Sequence, residues 1–143
     1  MTPELVTRHE EETRELGRSV AERLEPGDVL FLVGELGAGK TTFVKGMGLA
    51  FQVSAAVRSP TYALMHRYRG DPDLIHIDLY RESDASALED LNWEEEGRLA
   101  VTVVEWPRSL GEVLWPNAQT VRIEHAGGDE RRIFLPDGLL GAG

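Results

Sequence analysis

Cysteine is absent from the 143 residues. That removes disulfides, thiolate metal ligands and a cysteine nucleophile, and it fits a reducing compartment. Lysine is scarce: Lys40 and Lys45 stand alone. Positive charge is short overall, with 15 Lys and Arg against 25 Asp and Glu and a formal net charge of -10. Long-range attraction to polyanions is therefore weak, so a nucleic acid would have to be reached through a local basic patch or a partner protein. No apolar run approaches membrane-spanning length. Glu, Arg and His follow Met1 where a secretion signal needs an apolar core, so the expected location is cytoplasmic. Hydrophobic residues at 41% and charged residues at 28% are ordinary for a folded protein. The length suits one domain over 1–143, with 138–143 as a frayed tail, rather than a motor plus a separate substrate domain.

What is present reads as alternating strands and helices. Thr7 and Glu10 have the spacing of a capping box, and Leu16, Val20 and Leu24 then recur every four residues, giving a charged helix with a narrow apolar stripe. The turn EPGD ends it. DVLFLVG is a short continuous apolar run, the pattern of a strand buried on both faces, and GKTTFVKGMGLAF predicts the helix after it. YALMHRYR and LIHIDLY flank the turn former GDPD, which predicts an antiparallel pair. SDASALEDLNWEEEG reads as a short capped helix and a loop, with Asn92 suited to a left-handed position. LAVTVVEW is a second buried strand, and QTVRIEHAGGDERRIFL reads as two strands joined at Gly127 and Gly128. The expected fold is a single α/β domain with a mixed central sheet, partly parallel and partly antiparallel, flanked by helices.

Gly34, Gly39, Lys40 and Thr41 match G-x-x-x-x-G-K-[ST], and the match sits between a predicted strand and a predicted helix. The glycines let backbone N–H groups turn toward phosphate oxygens, and the helix presents its positive end to the same charge. Lys40 can reach the β and γ phosphates, and the Thr41 hydroxyl can take one position on Mg²⁺. Such a metal also needs a carboxylate. Glu105 closes an apolar run, which puts it at the C-terminal edge of a parallel strand, where these sheets bind ligands. His76, Asp78 and Tyr80 share one strand face if alternation holds. That face fits a solvated surface as well as a catalytic or metal role for Asp78, and His76 reads as a structural strand histidine before it reads as a base. Ser59, Pro60 and Thr61 stand where P-loop proteins keep a segment that senses the γ-phosphate, or form an ordinary capped turn. Trp106 is placed for the nucleotide or for the core.

The ordered series GELGAGKTTF, SPTYAL, HIDLYR and VVEWP, spread over about residues 28 to 107, resembles the TsaE (YjeE) family, P-loop ATPases of bacterial tRNA threonylcarbamoyladenosine biosynthesis. The resemblance implies ATP held by Gly34, Glu35, Leu36, Gly37, Ala38, Gly39, Lys40, Thr41 and Thr42, with Trp106 close by. It implies Mg²⁺ on Thr41 and Glu105 with Asp78 as a catalytic or metal-associated acid, so that Lys40, Asp78 and Glu105 carry the chemistry. Ser59 to Tyr62 would be the switch-like segment. It further implies work with TsaD and TsaB, which would hold the tRNA that this acidic chain does not, and an ATPase that is weak without them. Glu35 stands where the family usually has Asp, Tyr62 where Phe is common and Asn92 where Gly often occurs. Two other readings use the same cradle: a small metabolite kinase and a nucleotide-sensing adaptor. The kinase needs an Arg-rich lid, whereas Arg131 and Arg132 fall in the terminal strand pair.

Overall fold

The structure, a computed structural model, describes residues 4–35, 37–54, 57, 65–79, 93–106 and 108–139. Within them the strands are β1 (Glu4–Thr7), β2 (Val29–Val33), β3 (Met65–Tyr68), β4 (Asp73–Asp78), β5 (Ala100–Glu105), β6 (Gln119–His125) and β7 (Arg131–Phe134). They form one sheet in the order β1-β7-β6-β2-β5-β4-β3. The central strands β6, β2, β5 and β4 run parallel, while β3, β7 and β1 are added antiparallel. The mixed sheet predicted from sequence is therefore the one observed. The two apolar runs, β2 and β5, lie side by side in its middle, where a strand covered on both faces needs no polar alternation.

Helices α1 (Glu10–Ala21) and α2 (Lys40–Ala50) cover one face. There Leu30, Leu32, Phe43, Val44, Met47, Leu74, Val103 and Ile123 are fully buried. The other face packs Phe31, Ile75, Ile77 and Val104 against Trp115, next to the short helices α3 (Trp93–Gly97) and α4 (Arg108–Leu114). Each such aliphatic or aromatic side chain contributes about 1.5–3 kcal/mol when it leaves water. Among the described residues no helix is long and apolar enough to cross a membrane.

Four local expectations change. Thr7 is not a helix cap but the last residue of β1, and its hydroxyl bonds that of Thr13 at 2.7 Å. The helix starts at Glu10, and Glu12 rather than Glu10 reaches back, accepting the Arg8 N–H at 2.8 Å. The helix α4 has no counterpart in the sequence reading. Leu139, assigned to a frayed tail, sits in a 3-10 turn over Asp137–Leu139 and is 3% exposed. Of the predicted helix over SDASALEDLNWEEEG, only Trp93–Gly97 falls within the described residues; Asn92 lies outside them.

Helices α1 and α2 touch backbone to backbone. A Cβ on Gly46 would stand 1.8 Å from the Arg14 carbonyl oxygen, and one on Gly17 would stand 2.0 Å from that of Phe43. Both obstacles are main chain, so a rotamer change cannot relieve them. Gly46→Ala is expected to destabilise by about 1–3 kcal/mol despite the better helix propensity of alanine. Urea unfolding measures it, and an unchanged midpoint would show that the helices separate freely.

Candidate nucleotide-binding site

The loop between β2 and α2 opens at the C-terminal edge of the parallel strands, at the middle of the sheet. Gly37 and Gly39 hold φ of +79° and +105°, in the left-handed region that a side chain would resist. Gly39 is the residue preceding α2, and no side chain caps that helix end; its first turn carries no acid. The first amides of α2 thus keep their donors and their positive end for an external anion.

Lys40 is only 5% exposed. Its Nζ donates to the Gly34 carbonyl at 2.6 Å, lies 3.6 Å from Glu105 Oε1 and stands 4.1 Å from the centre of the Trp106 ring. Burial pulls its pKa below 10.5; the Glu105 carboxylate and, further off, Asp78 oppose the shift. Trp106 takes φ of +53°, uncommon for a residue with a side chain, and in that conformation its ring covers the ammonium group.

Glu105 ends β5 where the sequence places it, and its carboxylate lies between two nitrogens, Lys40 Nζ on one oxygen and His76 Nε2 on the other. His76 is fully buried, so the solvated-face reading does not hold for it. The strand face bearing Leu74 and His76 is the one that α2 covers. Asp78 ends β4 directly opposite Glu105 in the ladder, half-buried and close enough for Lys40 to feel its charge. Parallel pairing of β4 and β5 is what brings these acids to one edge.

Among the described residues no group of three or more His, Asp or Glu side chains could hold a metal ion unaided. The donors at the edge, the Glu105 carboxylate and the Thr41 hydroxyl with Asp78 beside them, are hard oxygens and few. That set fits Mg²⁺, which keeps water and phosphate oxygens in its shell and takes only one or two protein ligands.

A cavity of about 360 Å³ opens over the loop, lined by Gly37, Gly39, Lys40, Thr41, Thr42 and Glu105. Gly34, Glu35, Ala38 and Trp106 line a second cavity together with residues of β6. Leu36, Ser59, Pro60, Thr61, Tyr62 and Tyr80 lie outside the described residues. The sequence reading missed the far wall of the first cavity, made by Glu10 and Thr13 from α1 and by Asp129 and Arg131 from the β6–β7 hairpin. No local pattern signals these four; only the pairing of β7 beside β6 and the crossing of α1 over α2 bring them to the loop.

The family model described as "Threonylcarbamoyl adenosine biosynthesis protein TsaE" matches residues 7–133. Over 120 residues the chain is 43% identical to the tRNA threonylcarbamoyladenosine biosynthesis protein TsaE of Streptomyces coelicolor, covering 81% of each chain. The protein of the same name from Aquifex aeolicus is 39% identical over 130 residues, 84% of this chain and 94% of that one. Among solved structures, Bacillus subtilis YdiB superposes with a TM-score of 0.75 at 34% identity, covering 94% of this chain and 86% of that one.

Proposed function

The chain belongs to the TsaE family of threonylcarbamoyl adenosine biosynthesis proteins, and from that premise we propose that it is the Mg²⁺-dependent ATPase of the tRNA-modifying machinery. The observation that supports this most is the buried contact of Lys40 with Glu105 and Trp106 at the head of α2. A buried ammonium beside a glycine loop with open helix amides is a site for a polyphosphate.

The residues divide the work. The amides of Gly37 to Thr42 hold phosphate oxygens, and Lys40 exchanges its Gly34 and Glu105 partners for the β and γ phosphates. Release of Lys40 frees one Glu105 oxygen, while His76 keeps the other oriented. With Thr41, Glu105 would hold Mg²⁺, which when bound supplies charge neutralisation at the phosphate oxygens. Asp78, alongside, orients the attacking water. Trp106 keeps solvent from the ammonium and strengthens its electrostatics.

The partners in this reading are the TsaD–TsaB pair, which carries the tRNA; a net charge of -10 leaves this chain poorly suited to do so. Phosphate release from ATP is expected to rise about tenfold or more when the pair is added. Absence of stimulation would overturn the partnership, and phosphorylated metabolite formed faster than free phosphate would favour a kinase. Equal multiple-turnover tRNA modification with ATP and with a non-hydrolysable analogue would favour an adaptor that only senses the nucleotide.

A further inference from the structure

Arg131 is the first residue of β7, and its side chain crosses from the hairpin to the glycine loop. One terminal nitrogen donates to the carbonyls of Gly128 and Glu130, both at 2.8 Å. The other reaches the Gly37 carbonyl at 3.4 Å, a weak contact. Nε is buried with no hydrogen-bond partner, and it lies 3.5 Å from where a Cβ on Gly39 would stand. A donor of a permanent cation left without an acceptor on the wall of an open cavity is costly unless the cavity's occupant supplies one.

The order of the strands says which part of an occupant that would be. The loop leaves β2, which has β5 on one side and β6, then β7, on the other. Glu105 comes from the β5 side and marks the metal-bearing, terminal-phosphate end. Arg131 comes from the β7 side and lines the same cavity as Glu105, so a phosphate chain running over the loop from Glu105 leaves toward Arg131 at its nucleoside end.

We propose that Arg131 is a second cationic ligand of the nucleotide, holding the phosphate oxygens nearest the nucleoside. This rests on the ATP site proposed above. The contact falls on what ADP and ATP share, so it sets affinity for both and leaves the hydrolytic step alone. It also gives Arg131 the task of retaining a nucleoside diphosphate after phosphate has left.

The test is calorimetric titration of Arg131→Gln with Mg·ADP and Mg·ATP, alongside single-turnover phosphate release at saturating ATP. Both dissociation constants are expected to rise about tenfold and by the same factor, with the single-turnover rate within about twofold of wild type. Arg132→Gln serves as control: its guanidinium pairs with Glu4 at 2.9 Å across the edge strands, and nucleotide affinity should not change. Should Arg131→Gln not fold, Arg131→Lys keeps the charge and stem but loses the planar fork, and an affinity loss of about threefold or more is expected. Unchanged affinity in a folded variant overturns the proposal, as does a loss confined to ATP, which would put Arg131 on the terminal phosphate. Wild-type protein that binds neither nucleotide would overturn the ATP site and the Arg131 contact with it, whereas tight binding by wild type with unchanged affinity in the variant overturns the Arg131 contact alone.

Discussion

Lys40→Met is expected to lower ATP affinity roughly a hundredfold, because in the proposed site it would remove a charge-assisted donor to two phosphates where water barely reaches. The stability of the unliganded protein should nevertheless move by no more than about 1 kcal/mol. Burial already pushes the ammonium's pKa below 10.5, so the charged form is disfavoured in the folded chain, and an apolar stem of similar length removes that cost. Against this, Glu105 loses one partner but keeps His76. The sign with pH follows. A lysine whose folded pKa is lowered makes the unfolded chain bind more protons between that value and 10.5, so wild-type stability gains a contribution as pH rises through this window. The Lys40→Met protein should lack that gain. Isothermal titration and urea unfolding between pH 7 and pH 10 measure both effects. Equal affinity in a folded Lys40→Met protein would remove the ammonium from the site.

The parts legible in the sequence were those whose chemistry is local. Gly34, Gly39, Lys40 and Thr41 stand out in the sequence because two glycines, an ammonium and a hydroxyl fall within a few residues of one another, and the structure places Gly39 at φ of +105° with a helix starting at Lys40. The runs VLFLV and AVTVVE declare central strands because a strand covered on both faces is apolar throughout, and Glu105 is conspicuous for ending one. Gly127 and Gly128, at φ of +105° and +54°, announce the last hairpin.

The remainder is not local. β1 pairs Glu4 with Phe134 and Thr7 with Arg131, partners at the other end of the chain, and four residues of mixed character carry no strand pattern of their own. The Thr7–Glu10 spacing met the rule for a helix cap, but pairing with β7 recruited Thr7 into the sheet. His76 shows what periodicity leaves open: alternation assigns it to a face, and only the path of α2 decides that this face is covered. Gly17 and Gly46 look like weak points of two helices until the 1.8 Å and 2.0 Å approaches show that they are where the helices meet. Arg131 reads from sequence as a strand residue, which it is, and its position over the glycine loop depends on which strand lies beside which.

Glu105→Gln separates the two tasks of that side chain, because the amide keeps an oxygen toward His76 and the same shape while giving up the charge. Hydrolysis in the presence of the TsaD–TsaB pair is expected to fall about a hundredfold or more, since a neutral ligand holds Mg²⁺ poorly and the stabilisation of phosphate charge weakens with it. Binding without metal should move the other way. In the wild-type protein the carboxylate holds Lys40 at 3.6 Å and faces the cavity in which the proposed site would receive the phosphates. ATP must therefore displace a salt bridge and approach a negative charge. The glutamine variant imposes neither, so in EDTA it is expected to bind ATP several-fold tighter than wild type, an effect on the order of 1 kcal/mol for one partly screened charge. Glu105→Asp keeps the charge but shortens the reach, and it should retain the weaker metal-free binding while losing most hydrolysis. Equal hydrolysis by wild type and Glu105→Gln would move the metal to another acid, with Asp78, opposite it in the ladder, the nearest candidate. Equal metal-free affinity would mean that Lys40 does not face a choice between Glu105 and the phosphates.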